Sequence, residues 1–282
     1  MSTPLGAEVD RAAALLSARG IESARLEAEV LLADVLGTDR ARVFLERSRV
    51  LAAALRERFA ELVRRRADRE PFQHLRGVQE FYSREFRVDS RVLIPRADTE
   101  TLVERAIEAL GAREAPRIVD VGTGSGVIAI TLALELPRAR AVAIDFCAAA
   151  LEVARENARN LGALHRVEFR CGDLLEPVRD ERFDLVVSNP PYVRSGDIAG
   201  LAVEVRDYEP RLALDGGPDG LVFYRRLAGA APRVLSPAGS LLVEIGFGQA
   251  AAVVEIFAAA GFPRVEVFRD LAGVERVVMA AP

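Results

Sequence analysis

Lysine and tryptophan are absent from this 282-residue chain, and cysteine, methionine and histidine occur only twice each. Two cysteines, Cys147 and Cys171, cannot build the disulfide framework of a small secreted fold. In apolar, strand-like surroundings they are expected as free, buried thiols of a reducing compartment. His74 and His165 lie far apart and have no cysteine neighbours, so no metal site is expected. With no lysine, every basic residue is Arg, which speaks of base composition rather than function. Residues 1–10 lack the apolar core of a secretory leader. No apolar run reaches membrane-spanning length, since the Ala-rich stretch around Val253 and Val254 is broken by Glu255. A cytoplasmic chain without membrane contact is therefore expected. The net charge of −4 argues against the broad basic face of a duplex-DNA binder, although a local Arg patch could meet RNA.

What is present suffices for one ordinary domain and a smaller one, with 50% hydrophobic residues to build their cores. Residues 1–75 read as a small helical bundle. Val9, Ala12, Leu15 and Leu16 share one face, and Gly20 closes that helix. Leu26, Val30, Leu31 and Leu36 form a second stripe ending at Gly37. Leu55, Phe59, Leu62 and Val63 form another, with Arg64-Arg65-Arg66 as a solvated helix end suited to the helix dipole. From Gly77 to Val92 the pattern alternates, and Ser83-Arg84 between two short runs predicts a hairpin. The hairpin linker is drawn as residues 76–96. Asp98 is the predicted N-cap of a helix ending at Gly111. Residues 117 to about 246 alternate βαβα, the mark of a parallel sheet with helices on its faces. Arg264–Phe268 and Val274–Met279 read as a terminal antiparallel strand pair joined by Leu271-Ala272-Gly273. Residues 97–282 form the larger domain.

Two segments carry chemistry. Arg117–Val121 is a strand, Gly122-Thr123-Gly124-Ser125-Gly126 a tight turn, and Val127 opens a helix whose unpaired N–H groups face the turn. A second strand ends at Asp145, about twenty residues beyond the glycines, where a carboxylate can bind both hydroxyls of a ribose. These features indicate a nucleoside cofactor and leave NAD open. The spacing is G-x-G-x-G rather than the dinucleotide fingerprint, and Asp120 stands two residues before the first glycine. A carboxylate there repels a pyrophosphate but suits an ammonium and a sulfonium, as in S-adenosylmethionine. A third strand, Val167–Arg170, leads to Asp173, placed to accept from an adenine amino group with Leu174 against the ring.

Phe183–Ser188 is a buried strand, and Asn189-Pro190-Pro191-Tyr192 stops it. The carboxyl ends of strands in open α/β sheets are where ligands sit. Asn189 Oδ1 and the Pro190 carbonyl are two acceptors side by side, a match for a planar NH2 group. Tyr192, with Pro191 and with Phe81 or Tyr82, offers apolar surface for a flat substrate amide.

These motifs resemble the class I S-adenosylmethionine-dependent methyltransferases that act on nitrogen, and more narrowly the glutamine methyltransferases of peptide-chain release factors. The narrow resemblance rests on the flanks: Pro71–Gly77, Glu80-Phe81-Tyr82, Leu93–Glu100, Glu209-Pro210, Ala213–Leu221, Arg269–Gly273 and Arg276-Val277-Val278. Two departures are Ala97, where the family usually has Pro, and Cys147-Ala148, where Ser-Pro often starts the helix; Cys is a poor N-cap. The resemblance implies a Rossmann-like fold and protein methylation in translation termination, with the Gln of a Gly-Gly-Gln loop as substrate. It also implies S-adenosylmethionine held by Asp120, Gly122–Gly126, Asp145, Asp173, Leu174 and Asn189, with Asn189 and Pro190 catalytic. Release factors are the expected partners, the helical bundle is expected to recognise them, and a monomer is expected. Two rivals stand beside this: an amino-group methyltransferase on adenine or cytosine in DNA or RNA, whose flipped base would stack on Tyr192, and a non-catalytic cofactor-binding scaffold. A dehydrogenase is disfavoured by the glycine spacing and by Asn189.

Overall fold

A computed structural model describes residues 3–111 and 113–281, and the chain in it divides into two compact units. The smaller comprises the chain up to Gly77 together with Ala202–Tyr208; the larger comprises Val78–Leu201 and the chain from Glu209.

The smaller unit contains α1 (Leu5–Ala18), α2 (Ala24–Leu36), α3 (Arg40–Leu45), α4 (Ala53–Ala67), α5 (Phe72–Arg76) and the later α9 (Val203–Tyr208). Leu5, Val9, Leu16, Leu31, Leu32, Phe59 and Val63 form its core. The inward face of α1 is set by Leu5, Val9, Ala12 and Leu16, so Leu15 is rotated off it and is 43% exposed. In α2 the buried stripe is Ala24, Ala28, Leu31, Leu32 and Val35, and Leu26 faces solvent. The sequence reading misses α3 and α5, six and five residues long, because one turn is too short to show a helical period. Within the Arg run, Arg64 behaves as expected, paired with Glu61 and Asp68 at the surface. Arg66 does not. Its side chain is 8% exposed, and its guanidinium pairs with Glu27 at 2.6 Å and with Glu204 of α9 at 3.2 Å. Glu204 also pairs with Arg69 at 2.7 Å.

The larger unit opens with a hairpin of β1 (Val78–Phe81) and β2 (Arg84–Arg87). Its turn is Tyr82-Ser83, one residue earlier than expected, with both residues at positive φ. The Tyr82 N–H is held by Glu100 Oε1 at 2.8 Å. Glu100 lies in α6 (Asp98–Leu110), where Ala97 takes the cap position; Asp98 is inside the first turn, and its carboxylate pairs with Arg276 rather than capping. A seven-stranded sheet follows, in the order β5-β4-β3-β6-β7-β9-β8. β3 (Arg117–Val121), β4 (Arg140–Asp145), β5 (Val167–Cys171), β6 (Phe183–Ser188) and β7 (Leu235–Glu244) run parallel, and β8 (Arg264–Arg269) and β9 (Glu275–Ala281) are the antiparallel pair. The intervening helices are α7 (Val127–Glu135), α8 (Ala148–Asn160), α10 (Val222–Val234) and α11 (Ala250–Ala259). Alternate residues of a strand point to opposite faces. Thus Leu185 and Val187 join a cluster with Phe81, Phe86, Leu102 and Ile130, while Val186 joins one with Tyr224, Leu241 and Phe257; Phe183 joins this second cluster too, because the register shifts between Phe183 and Leu185 and breaks the alternation there. Burial on both faces explains the nearly continuous apolar runs of the parallel strands.

The cysteines depart from expectation. Cys147 is half-buried, and Cys171 is exposed because it ends β5, the edge strand of the sheet. No helix among the described residues is long and apolar enough to cross a membrane.

Replacing Arg66 by Ala leaves Glu27 and Glu204 without their shared cation in a poorly solvated place. Breaking a buried pair from one side costs about 3–5 kcal/mol. Native-state hydrogen exchange of the full chain is expected to show a loss of that order in α2 and α4, with the protection of β3 and β6 unchanged.

Candidate active site

The chain runs from β3 through β4 to β5 on one side and continues from β6 to β7 on the other, so the strand order reverses between β3 and β6. Such a switch point leaves a crevice at the carboxyl ends of the strands. Val121 and Ser188 are register partners, so the glycine turn and Asn189 leave neighbouring strands side by side. The Ser188 hydroxyl donates to the Val121 carbonyl at 2.7 Å and ties the two exits together.

The glycine turn is built on two carboxylates. The N–H groups of Gly122 and Thr123 donate to the Ile144 carbonyl, both at 2.9 Å. Below them, Asp120 Oδ2 accepts from Thr123 Oγ1 at 2.6 Å and from the Ala129 N–H at 3.1 Å. Asp120 is fully buried and its Oδ1 has no partner among the described residues. Burial pushes its carboxyl up to about 7, against the pull of the two accepted hydrogen bonds. Gly126 has φ +86°, and a Cβ on it would lie 2.7 Å from Ile130 Cδ1, so the turn enters α7 only with glycine there. Asp145, at the end of β4, accepts from the Gly124 N–H at 2.9 Å and the Cys147 N–H at 2.8 Å. Burial raises its pKa. Next to it Phe146 is 70% exposed, an apolar ring at a strand end that the sequence reading passes over although its position after the acid is the signal. Asp173 stands beyond β5, and its carboxylate is held by Arg226 of α10 at 2.5 Å. Leu174, at φ +49°, packs against the second core cluster.

Asn189 is half-buried, Pro190 buried, and Pro191 and Tyr192 half-buried. Asn189 Nδ2 donates to Thr99 Oγ1 at 3.1 Å, and Thr99 Oγ1 lies 2.6 Å from Glu244 Oε2. Glu244 ends β7 and is 1% exposed; burial pushes its carboxyl up to about 7. Burial likewise raises the Tyr192 phenol to about 12. The Tyr192 carbonyl accepts from Gln249 Nε2 at 3.0 Å, while Gln249 Oε1 accepts from the Gly246 N–H at 3.0 Å. Val193 exchanges backbone bonds with Leu214 and Gly216. A Cβ on Gly216 would sit 2.8 Å from both the Pro191 carbonyl oxygen and Tyr192 Cα, so glycine is required for this close approach. Thr99, Glu244 and Gln249 are therefore part of the setting of Asn189 and Tyr192, and the sequence reading does not find them. Phe81, expected at the substrate, is 1% exposed and edge-on to Phe86 within the core, because the hairpin turns that face inward.

This arrangement provides one buried and one half-buried acid around a glycine turn, an exposed ring, and an amide whose NH2 side is engaged while its Oδ1 remains to accept. Comparison with known proteins is consistent across the chain. Residues 9–77 match the model of the PrmC N-terminal domain, and residues 98–205 that of the methyltransferase small domain. The chain is 46% identical over 263 residues to the release factor glutamine methyltransferase of Geobacter sulfurreducens, covering 93% of this chain and 91% of that protein. It is 48% identical over 266 residues to the release factor glutamine methyltransferase of Moorella thermoacetica, covering 94% of each. In fold it resembles a methyltransferase from Pyrococcus furiosus, with a TM-score of 0.52 at 17% identity over 71% of this chain and 90% of that one.

Asp120 separates stability from ligand binding. Its carboxyl titrates near 7 in the folded chain against an ordinary 3.8. The stability it contributes is fully present below about pH 4 and is lost as pH rises to about 7. Asp120→Asn can keep both accepted bonds without a buried charge. The difference in Tm between D120N and the parent is expected to move in favour of D120N from about pH 4 to pH 7 and to level off above. Thermal scans across that range measure it, and a variant that loses ground with rising pH would contradict the assignment.

Proposed function

The chain belongs to the release factor glutamine methyltransferase family, and from that premise we propose how its residues transfer a methyl group to the side-chain amide nitrogen of a release-factor glutamine. The observation that carries the proposal is the side-by-side exit of the glycine turn and Asn189 from β3 and β6.

The methyl donor is S-adenosylmethionine, which supplies an electrophilic methyl group when bound. The donor set fits it. The unpartnered Asp120 Oδ1 and the raised Asp145 carboxyl answer to a cationic amino group near the turn and to ribose hydroxyls, and binding of a cation beside Asp120 draws that acid to its charged form. The exposed ring of Phe146 is suited to a purine face. Gly122–Gly126 and Thr123 shape the turn, and Asp173 with Leu174 bounds the base side.

An amide nitrogen is a weak nucleophile because its lone pair is delocalised into the carbonyl. Asn189 Oδ1 and the Pro190 carbonyl accept its two hydrogens, orient the lone pair, and stabilise the positive charge that develops on nitrogen. Pro191 fixes the direction of the Pro190 carbonyl, and Tyr192 closes one side of the amide. No side-chain nucleophile is required. The Gln lies in a Gly-Gly-Gln loop, whose glycines let it enter a narrow crevice.

A tripeptide offers little binding energy, and remote contacts commonly position a reacting group. The helical unit is the recognition element for the rest of the release factor. Phe44 and Leu45 of α3, 63% and 78% exposed, form an apolar patch available for that contact.

Asn189→Ala is expected to lower turnover about 10²–10³-fold with S-adenosylmethionine binding retained, as read by steady-state methyl transfer and calorimetry. Near-normal turnover would reduce Asn189 to a turn residue. Replacing Phe44 and Leu45 by Ser is expected to reduce kcat/KM on whole release factor about 10-fold or more and to leave methylation of a short Gly-Gly-Gln peptide unchanged. An equal effect on both substrates would remove the patch from recognition.

A further inference from the structure

We infer that Thr99 and Glu244 form a directional hydrogen-bond chain that decides which edge of the Asn189 amide faces the substrate, and that the chain reverses when Glu244 takes up a proton. The inference rests on the reading of Asn189 Oδ1 as an acceptor for the substrate NH2.

The argument is a count of hydrogens. Thr99 is 3% exposed, and its hydroxyl carries one hydrogen. With Glu244 ionised, that hydrogen goes to Glu244 Oε2, 2.6 Å away. Thr99 Oγ1 can then only accept from Asn189, so the amide presents Nδ2 to it at 3.1 Å. Asn189 Nδ2 also donates toward the Glu244 carboxylate and favours its charged form. Both contacts turn Oδ1 outward, where it can accept. With Glu244 protonated, its O–H can donate to Thr99 Oγ1, the Thr99 hydrogen is released toward Asn189, and the amide that satisfies it is the flipped one. The NH2 group then faces outward and meets the NH2 of a glutamine, donor against donor.

The surroundings of Glu244 place this reversal within reach. Burial disfavours its charge and the Asp98 carboxylate on α6 adds to that; Arg276 on β9 opposes it, with the bonds from Thr99 and Asn189, leaving the carboxyl at about 7. Arg276 is itself held by Asp98 at 2.8 Å and Asp270 at 3.1 Å, which limits its pull. The other titratable groups facing Glu244 are the phenols of Tyr192 and Tyr224 of α10, both pushed above their ordinary range and therefore neutral throughout. Gln249, which accepts from the Tyr224 hydroxyl at 3.2 Å, fixes that side of the site without titrating. Neither Thr99 nor Glu244 needs to touch the substrate, so both are positioning residues.

The experiment uses the full chain, with kcat/KM for a Gly-Gly-Gln peptide measured between about pH 6 and pH 8 alongside S-adenosylmethionine binding. Thr99→Val is expected to lower kcat/KM about 10–100-fold through loss of amide orientation, with cofactor affinity retained, and Thr99→Ser is expected to restore most of it. With S-adenosylmethionine saturating at every pH, so that the titration of Asp120 does not enter, the parent is expected to lose activity below about pH 7, and Glu244→Gln to show no such step. A second readout does not depend on how stably a variant folds. A Gly-Gly-Glu peptide offers only acceptors at these pH values, so its inhibition of the parent is expected to tighten as pH falls, up to about tenfold per pH unit, while Glu244→Gln shows no gain. Parent-like activity in T99V, or the parent pH profile in E244Q, with Asn189→Ala impaired, would overturn the chain and leave the role of Asn189 standing. Normal turnover in Asn189→Ala would overturn both.

Discussion

The catalytic unit depends on one stretch of parallel ladder, the pairing of β3 with β6. Register partners from Ile118 with Leu185 to Val121 with Ser188 bring two otherwise unrelated turns to the same sheet edge. Side-chain direction in a strand has a period of two. A shift of one residue would carry Asn189 past the glycine turn and send Leu185 and Val187 to the opposite face from their cluster with Leu102 and Ile130. The burial of both faces therefore guards the geometry of the site, because the register that fills the core is the register that aligns the exits.

Around this ladder lie three acids at or near the carboxyl ends of strands, Asp120 on β3, Asp145 on the adjacent β4 and Glu244 on β7, across β6 from them. Each has a pKa raised by burial. Among the described residues none is paired directly with an arginine in the manner of the buried Glu209, which receives the partly exposed Arg96 at 2.5 Å. Instead they are held by hydroxyl and backbone donors: Thr123 and Ala129 for Asp120, Gly124 and Cys147 for Asp145, Thr99 for Glu244. Such acids cost stability in the free protein and keep acceptor capacity in reserve, a pattern characteristic of functional sites. The tetrapeptide is braced from the other side by Gln249 and by the close approach of Gly216, so its carbonyls are directed by contacts made at several points of the chain.

The smaller unit gains its last helix from far along the sequence. Ala202–Tyr208 follow the tetrapeptide loop yet belong with the helical bundle, fastened there by the pairs of Glu204 with Arg66 and Arg69 and by the Tyr208 hydroxyl on the Asp68 carbonyl at 2.9 Å. Removing the chain up to Gly77 would leave Glu204 without either cation.

Much was determined by the sequence alone, wherever adjacent residues suffice. The strands ending at Val121, Asp145 and Ser188, the glycine turn, the proline stop after Asn189 and the terminal strand pair all follow from periodicity and turn chemistry, which act over a few residues. The same locality explains the errors. Leu15 and Leu26 are apolar and close to a helical stripe, but which face is inward is decided by the neighbouring helices. Phe81 is an aromatic beside a motif, but the hairpin buries it. Arg66 reads as a surface charge until α9 arrives to cover it. The relay behind Asn189 lies furthest from view, because its members are separated by 90 and 145 residues. Thr99 comes from a helix, Asn189 from the end of one strand and Glu244 from the end of another. Only the sheet order that sets β7 beside β6, with α6 packed against them, puts a hydroxyl between an amide and a buried acid, since a hydrogen bond of about 3 Å is a relation in space that no short-range pattern encodes.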